Sequence, residues 1–288
     1  MVWFCLGMIY ANKKSNISTV FPESSKNLLS IYETYDGPNK FDHWKEYARK
    51  YEYNLAPILR DLSPEKTFRM LEIGVQSGGS VEIWKSYFSR PFYYVGMDID
   101  ERCKRSEDVN QNIFIEIGSQ MVPNDLLQVC KKHGPFHFIV DDGGHTFEMM
   151  KTALKTLFVS AECMEESSLY VIEDMHTMVS KEYSRKPTDI PSIAGELFRK
   201  MHYYWYEHQS KGIGAWEVEF RKDKEWTDRI SSITLYDSMM FIRHKHGHGP
   251  LTRIRKGTSS FRNQEKKLQR NEYVSGNSTN IEWGWKQW

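Results

Sequence analysis

The sequence predicts a doubly wound α/β domain: a mostly parallel sheet, helices on both faces, and an antiparallel hairpin at one edge. Three observations carry this. The stretch TFRMLEIGVQSGGSVEIWKSYFSRPFYYVGMDID reads strand, glycine turn, helix, strand, acid. Further apolar runs, Ile113–Ile117, Phe136–Val140 and Ser168–Ile172, alternate with helical segments. The runs Ile233–Tyr236 and Met239–Arg243 are parted only by Asp237-Ser238, which is hairpin spacing. Alternating strands and helices build parallel sheets, because each crossover needs a dozen residues or more.

Phe68 to Ile73 is apolar and short enough for a buried parallel strand. Gly74, Gly78 and Gly79 make the turn; Val81, Trp84 and Phe88 then recur at helical spacing. The second strand, Phe92 to Met97, ends at Asp98. Glycines let a backbone approach a ligand without a Cβ in the way. A helix start offers free N–H groups. An acid after the second strand can accept hydrogen bonds from a ribose diol. A dinucleotide site wants G-x-G-x-x-G, but Gln76 stands at the second glycine position and Glu72 precedes the turn. The pattern is therefore E-x-G-x-x-x-G, with Gly74 and Gly78 as its glycines, and it disfavours NAD.

Residues 12–30 are polar and read as a linker. Residues 31–60 read as one or two helices, with Trp44, Tyr47, Ala48, Tyr51 and Leu55 at three- and four-residue spacing behind Lys40 and His43. Residues 101–110 read as a polar helix. The third strand ends in Gly118-Ser119-Gln120, and residues 123–133 form a helix capped by Asn124 or Asp125. The fourth strand runs into Asp141-Asp142-Gly143-Gly144-His145, with a helix over 147–158. The fifth ends in Glu173-Asp174. Residues 177–192 read as a surface loop, 193–206 as an aromatic helix and 221–230 as a short helix. Beyond His244 the chain turns basic and shows little apolar periodicity. The organisation expected is a flank over 1–30, one domain over 31–244 and a basic tail over 245–288.

With 288 residues the chain suits one large α/β domain with additions. A net charge of +1 gives no field that would favour nucleic acid. Cys5, Cys103, Cys130 and Cys163 form no C-x-x-C pair and are expected as free thiols in a reducing, cytoplasmic setting. Val2 to Ala11 is apolar but too short to span a bilayer. It leaves a signal or anchor role open, and the sequons at Asn16 and Asn277 matter only in that case.

In an open parallel sheet, ligands sit beyond the carboxyl ends of the strands. Asp142 and His145 follow the fourth strand there, and Glu173 and Asp174 follow the fifth. Carboxylates converging on a dry groove repel unless a cation neutralises them. Oxygen ligands suit Mg²⁺, which accepts substrate oxygens beside its waters. Asp142, Glu173 and Asp174 are the expected metal ligands, and Asp142 thereby joins the catalytic group. His145 stands where it can take a proton as general base. Each acid alone reads equally well as a strand terminus or a helix cap. His176 is a second histidine candidate, and His244-His246-His248 resembles a metal tract.

LEIGVQSGGSVEIWKSYF, YVGMDID, FHFIVDDGGHTFEMM, LYVIEDMHT and ITLYDSMMFI occur in that order, and NKFDHWKEYARKYE precedes them. Together they resemble the metal-dependent sugar O-methyltransferases of macrolide biosynthesis. The resemblance covers about residues 35–244. It implies a Rossmann-like class I methyltransferase fold with a seven-stranded sheet, with S-adenosylmethionine (SAM) and Mg²⁺ as cofactors. It places Glu72, Gly74 and Asp98 at SAM-binding positions, Ser119 and Gln120 near the adenine, and Asp141 near the methionine end. It matches Asp142, Glu173 and Asp174 to the metal ligands and His145 to the base. Ser119 replaces a frequent Asp, and Gly144 a frequent Ser. The partner implied is a small-molecule hydroxyl acceptor, sugar-like, with no nucleic acid and no membrane span; self-association is left open. A related hydroxylase and a non-catalytic SAM-binding module are the alternatives, and the Glu-x-Gly turn favours the methyltransferase over the hydroxylase.

Overall fold

The computed structural model describes residues 27–37, 45–183, 189–202 and 224–245. Seven strands form one sheet: β1 (Phe68–Ile73), β2 (Phe92–Asp98), β3 (Ile113–Ile117), β4 (Phe136–Asp141), β5 (Met164–Ile172), β6 (Ile230–Tyr236) and β7 (Met239–His244). Their order is β3-β2-β1-β4-β5-β7-β6. β1 to β5 pair in parallel, while β7 lies antiparallel between β5 and β6. The strand order reverses between β1 and β4, so their carboxyl ends open a crevice.

Helices α1 (Leu28–Thr34), α2 (Lys45–Asp61) and α3 (Gly79–Tyr87) lie on one face. Helices α4 (Pro123–His133), α5 (Phe147–Leu157), α6 (Asp189–Met201) and α7 (Lys224–Arg229) lie on the other. Strand alternation divides the core between them. Met70, Phe138, Val171 and Phe241 face α2 and α3, while Leu71, Ile139, Tyr170 and Met240 face α4 and α5. The helical spacing of Tyr47, Ala48, Tyr51 and Leu55 becomes the buried face of α2. Tyr51 meets Trp84, Phe138 and Phe241 edge-on, with centroids 5.1, 5.9 and 5.6 Å away. Burial of so large a ring contributes about 2–3 kcal/mol.

Several local readings need correction. Helix α1 begins at Leu28, inside the segment read as linker, because Leu28 and Ile31 are buried against the core. Residues 101–110 fold as two short 3₁₀ turns, Glu101–Ser106 and Val109–Gln111. Asp100 and Asp108 accept from Arg102 N and Asn110 N, closing tight local turns instead of a longer helix. Neither Asn124 nor Asp125 caps α4. Val122 holds that position with Pro123 behind it, and Asp125 Oδ2 instead accepts from Ser119 N at 2.9 Å. β5 starts earlier than read, since Glu165 and Glu166 hide its first residues among polar ones.

The cysteine expectation is overturned for one pair. Cys130 and Cys163 are joined as a disulfide, with Cα atoms 4.8 Å apart. The end of α4 returns beside the entry to β5, where Gly134 N donates to Cys130 O and Phe136 N to Cys163 O. Spacing along the chain could not reveal that proximity. Cys103 is free and buried. Residues 2–11, Cys5, both sequons, Lys40, His43, Trp44, residues 203–206 of the aromatic segment, His246, His248 and the basic tail lie outside the described residues. No described helix is long and apolar enough to cross a membrane.

Candidate active site

The glycine turn after β1 is built by contacts on every side. Gly74 has φ +92°, and a Cβ there would lie 2.1 Å from the carbonyl oxygen of Asp142. The exits of β1 and β4 are therefore in direct backbone contact. Gly78, at φ +84°, sits at the N-cap of α3. Glu72 is buried and accepts from Ser80 Oγ at 2.9 Å and from the Tyr94 hydroxyl. It thus ties β1 to β2 and α3.

Asp98 shapes the same turn. Its Oδ2 accepts from Val75 N and Gln76 N at 2.8 and 2.9 Å, and Oδ1 from Asp100 N at 2.9 Å. Burial pushes this carboxyl up, but the N–H donors of Asp100, Gln76 and Val75 outweigh it and hold it below the ordinary range. The next residue, Ile99, is 74% exposed and offers an apolar surface at the mouth of the crevice.

Ser119 Oγ accepts from Met121 N at 3.3 Å. Gln120 is buried, and both ends of its amide are used. Nε2 donates to Asp141 Oδ1, and Oε1 accepts from Gly144 N at 2.9 Å. Asp141 also accepts from the Tyr170 hydroxyl at 3.2 Å. Its carboxyl is pushed up to about 7 by burial, against the lowering effect of these donors. Tyr170 belongs to the core on the α4 and α5 side, whereas Tyr94, which holds Glu72, belongs to the other. Gln120 and Asp141 therefore brace the loop Gly143–Gly144 from one side of the sheet while Glu72 works from the other.

Three predicted residues converge. Asp142, His145 and Asp174 each offer a ligand atom, and these atoms all lie within 4.8 Å of one another. β4 and β5 are neighbours, and Glu173 N donates to Asp141 O, so the two loops leave the sheet side by side. Neither acid serves as a cap: Thr146 caps α5 through its own hydroxyl, and Asp174 makes no capping bond. His145 and Asp174 both hold left-handed backbone, at φ 56° and 51°. Such conformations cost roughly 1–3 kcal/mol and persist where surrounding contacts enforce them. Thr177 ties the two together, its single hydroxyl proton shared between His145 O at 2.8 Å and Asp174 O at 2.6 Å.

The electrostatics follow from crowding. The Asp142 carboxyl is pushed well up, first by burial and then by the charges of Glu173 and Asp174. Glu173 is buried and pushed up to about 8, mainly by burial. Its Oε1 accepts from the Tyr51 hydroxyl, and it stands outside the three-atom set. Burial holds His145 below its ordinary value, so the imidazole is neutral near pH 7. Its Nε2 is 3.9 Å from Asp142 Oδ1, and its Nδ1 is buried with no hydrogen-bond partner among the described residues. A hard cation fits here: it offsets like charges that otherwise raise one another's pKa. His176, the second histidine candidate, is half exposed, with Nδ1 2.5 Å from Ser238 Oγ and 3.9 Å from Asp174 Oδ1. His244 is buried against Phe158 within the core, while His246 and His248 of the same run lie outside the described residues.

Sequence reasoning missed the tyrosines. Tyr47 donates to Asp174 Oδ1 at 2.7 Å, and Tyr51, Tyr94 and Tyr170 donate to Glu173, Glu72 and Asp141. Each reads as a core aromatic by periodicity. A signal was present in α2, where tyrosines recur at i and i+4 on a face otherwise closed by Ala48 and Leu55.

No protein-family model matches the chain. Curated relatives do. The chain is 27% identical over 230 residues to 8-demethyl-8-alpha-L-rhamnosyl tetracenomycin-C 2'-O-methyltransferase of Streptomyces olivaceus, covering 75% of this chain and 56% of the relative. It is 35% identical over 116 residues to demethylmacrocin O-methyltransferase of Streptomyces fradiae, covering 38% and 28%. The chain is similar to sugar O-methyltransferases. It spans about half the length of the first of these relatives and less of the second. Among solved structures, MycE methyltransferase in complex with Mg, SAH and mycinamycin VI superimposes with a TM-score of 0.59 at 23% identity, over 77% of this chain and 54% of that one. The fold is thus the Rossmann-like methyltransferase fold.

Proposed function

We propose that this chain transfers a methyl group from SAM to a hydroxyl of a sugar-like small molecule, with Mg²⁺ at the acidic cluster. One observation carries the reading: Asp142, His145 and Asp174 meet within 4.8 Å beside the Glu72–Gly74–Asp98 turn. The first of these relatives is named for 2'-O-methylation of a rhamnosyl tetracenomycin, which supports a sugar-like acceptor. The working unit runs from α1, which begins at Leu28, to residue 244, with the remaining N-terminal stretch and 245–288 flanking it.

In this reading Glu72, Gly74, Gly78 and Asp98 form the SAM side of the crevice, with Ser119 at its rim. Gln120 and Asp141 act from beneath by holding the Gly143–Gly144 loop. Asp142 and Asp174 would hold the cation, and Glu173, outside the three-atom set, would be the further acid on the α2 side. When bound, Mg²⁺ supplies positive charge that lowers the pKa of the acceptor hydroxyl. His145, kept neutral by burial, takes the hydroxyl proton at Nε2, the nitrogen on the Asp142 side. The acceptor oxygen forms a bond to the methyl carbon as the carbon–sulfur bond breaks, leaving S-adenosylhomocysteine. Positioning supplies most of the rate. A reducing cytoplasm would not sustain the Cys130–Cys163 bond, so the compartment follows from the state of that pair.

Titration calorimetry with SAM and with Mg²⁺, on wild type and Asp142→Ala, tests the reading. The expected result is SAM binding in both proteins and Mg²⁺ binding in wild type alone. Failure of wild type to bind SAM would refute the methyltransferase reading.

A further inference from the structure

Glu173 and Asp174 are consecutive, yet each meets a different tyrosine of α2. Tyr47 donates to Asp174 Oδ1 at 2.7 Å, and Tyr51 donates to Glu173 Oε1. The two tyrosines are one helical turn apart, so both hydroxyls leave the same face of α2. Neither ring has room to wander. Tyr47 and Tyr51 are 2% and 0% exposed, and Tyr51 is held edge-on between Trp84, Phe138 and Phe241. The backbone beneath the carboxylates is equally fixed. Thr177 clamps Asp174 O to the His145 loop, and Met175 N donates to Ser238 O of the β6–β7 turn at 3.0 Å.

A carboxylate on a fixed backbone still rotates about its side-chain bonds. A rigid donor on one oxygen stops that rotation and turns the other oxygen in a set direction. It also lowers the cost of gathering several carboxylates in one place. Resting on the cation reading above, we propose that Tyr47 and Tyr51 are positioning residues for the divalent cation. They aim Asp174 and Glu173 from α2 before the cation arrives. The helical lead-in thereby becomes part of the metal site, although it supplies no ligand.

The test is Mg²⁺ and SAM titration calorimetry on wild type, Asp142→Ala, Tyr47→Phe and Tyr51→Phe. Tyr93→Phe serves as a control, since that hydroxyl pairs with His133 on the opposite face of the sheet. Each phenylalanine keeps the ring and removes only the hydroxyl. Partners that orient metal ligands are worth about 10–100-fold in affinity, so Tyr47→Phe and Tyr51→Phe are expected to raise the Mg²⁺ Kd about tenfold. SAM affinity should stay within about twofold, and Tyr93→Phe should match wild type. Bound Mn²⁺, followed by electron paramagnetic resonance, should show a broadened, less uniform site in both variants. A tyrosine whose phenylalanine variant binds Mg²⁺ within twofold of wild type has no such role. That outcome, with Asp142→Ala still losing Mg²⁺, overturns the proposal alone. Wild type without Mg²⁺ binding overturns the cation reading and the proposal together. Urea midpoints establish that each variant is folded, and if one tyrosine variant fails to fold the other decides.

Discussion

Gly74→Ala is the most revealing single substitution, because one added carbon meets only backbone. The new Cβ would lie 2.1 Å from Asp142 O, 2.7 Å from Asp142 C and 3.0 Å from Gly143 Cα. Relief requires the β1 and β4 exits to separate by about 1 Å, since non-bonded carbon and oxygen rest beyond 3 Å. The positive φ adds strain of roughly 1–3 kcal/mol for a residue with a Cβ. Strain and displacement together predict a loss of about 2–4 kcal/mol, or roughly 6–12 °C in Tm for a domain of this size. The displaced residue is Asp142 itself, and misplacement by 1 Å can cost about a hundredfold in rate. Differential scanning calorimetry reads the first effect, and Mg²⁺ titration with methyl-transfer assays reads the second. Gly195→Ala is the control. Its Cβ meets nothing within 4 Å on the exposed side of α6, so it should stabilise by about 0.5–1 kcal/mol. A Gly74→Ala protein with unchanged Tm and unchanged Mg²⁺ affinity would refute the claim that β1 holds Asp142 in place.

Other perturbations follow from the same contacts. His137 is buried and stacked on Phe68, its Nδ1 accepts from Arg69 N, and burial pushes its pKa down to about 4. The unfolded chain takes up that proton near pH 6.5, so stability should fall as pH drops from about 6.5 to 4, by roughly 2–4 kcal/mol. Urea denaturation across that range should show the slope in wild type, and His137→Gln should flatten it. Asp98 has a depressed pKa, so its contribution is present above the unfolded value and lost as pH falls through the folded one. Asp98→Asn should loosen the Val75–Gln76 turn, and faster amide hydrogen exchange at those two residues is the expected readout. Reducing Cys130–Cys163, which spans 33 residues, should cost about 3–4 kcal/mol by loop entropy. Peptide mapping without reductant should recover the linked pair, and finding both thiols free would refute it.

The strands were legible because each is a short apolar run bounded by a turn. β1, β3 and α4 lie where periodicity places them, and the Asp237-Ser238 spacing foretold the hairpin. The reading weakened where polar residues enter regular structure, as at Glu165 and Glu166 in β5. It also weakened where aspartates close short turns, as at Asp100 and Asp108. The acids of the site were legible as residue types at strand ends. Their supports were not, because a tyrosine that donates to a carboxylate is indistinguishable in sequence from one that only fills a core.

The sequence by itself determined the fold class, the parallel β-α succession with its antiparallel edge hairpin, and the chemistry available at each strand end, since these depend on local pattern and chirality. The strand ends already pointed to a meeting of Asp142, His145 and the Glu173-Asp174 pair; the tertiary structure decided which of them come close and what holds each one. It set Asp142 and His145 against Asp174 and gave Glu173 to Tyr51. It turned the Gln120 amide inward to Asp141 and Gly144, and joined Cys130 to Cys163. Each of these depends on side-chain direction and on contacts between segments distant in the chain, and no periodicity along one segment encodes them.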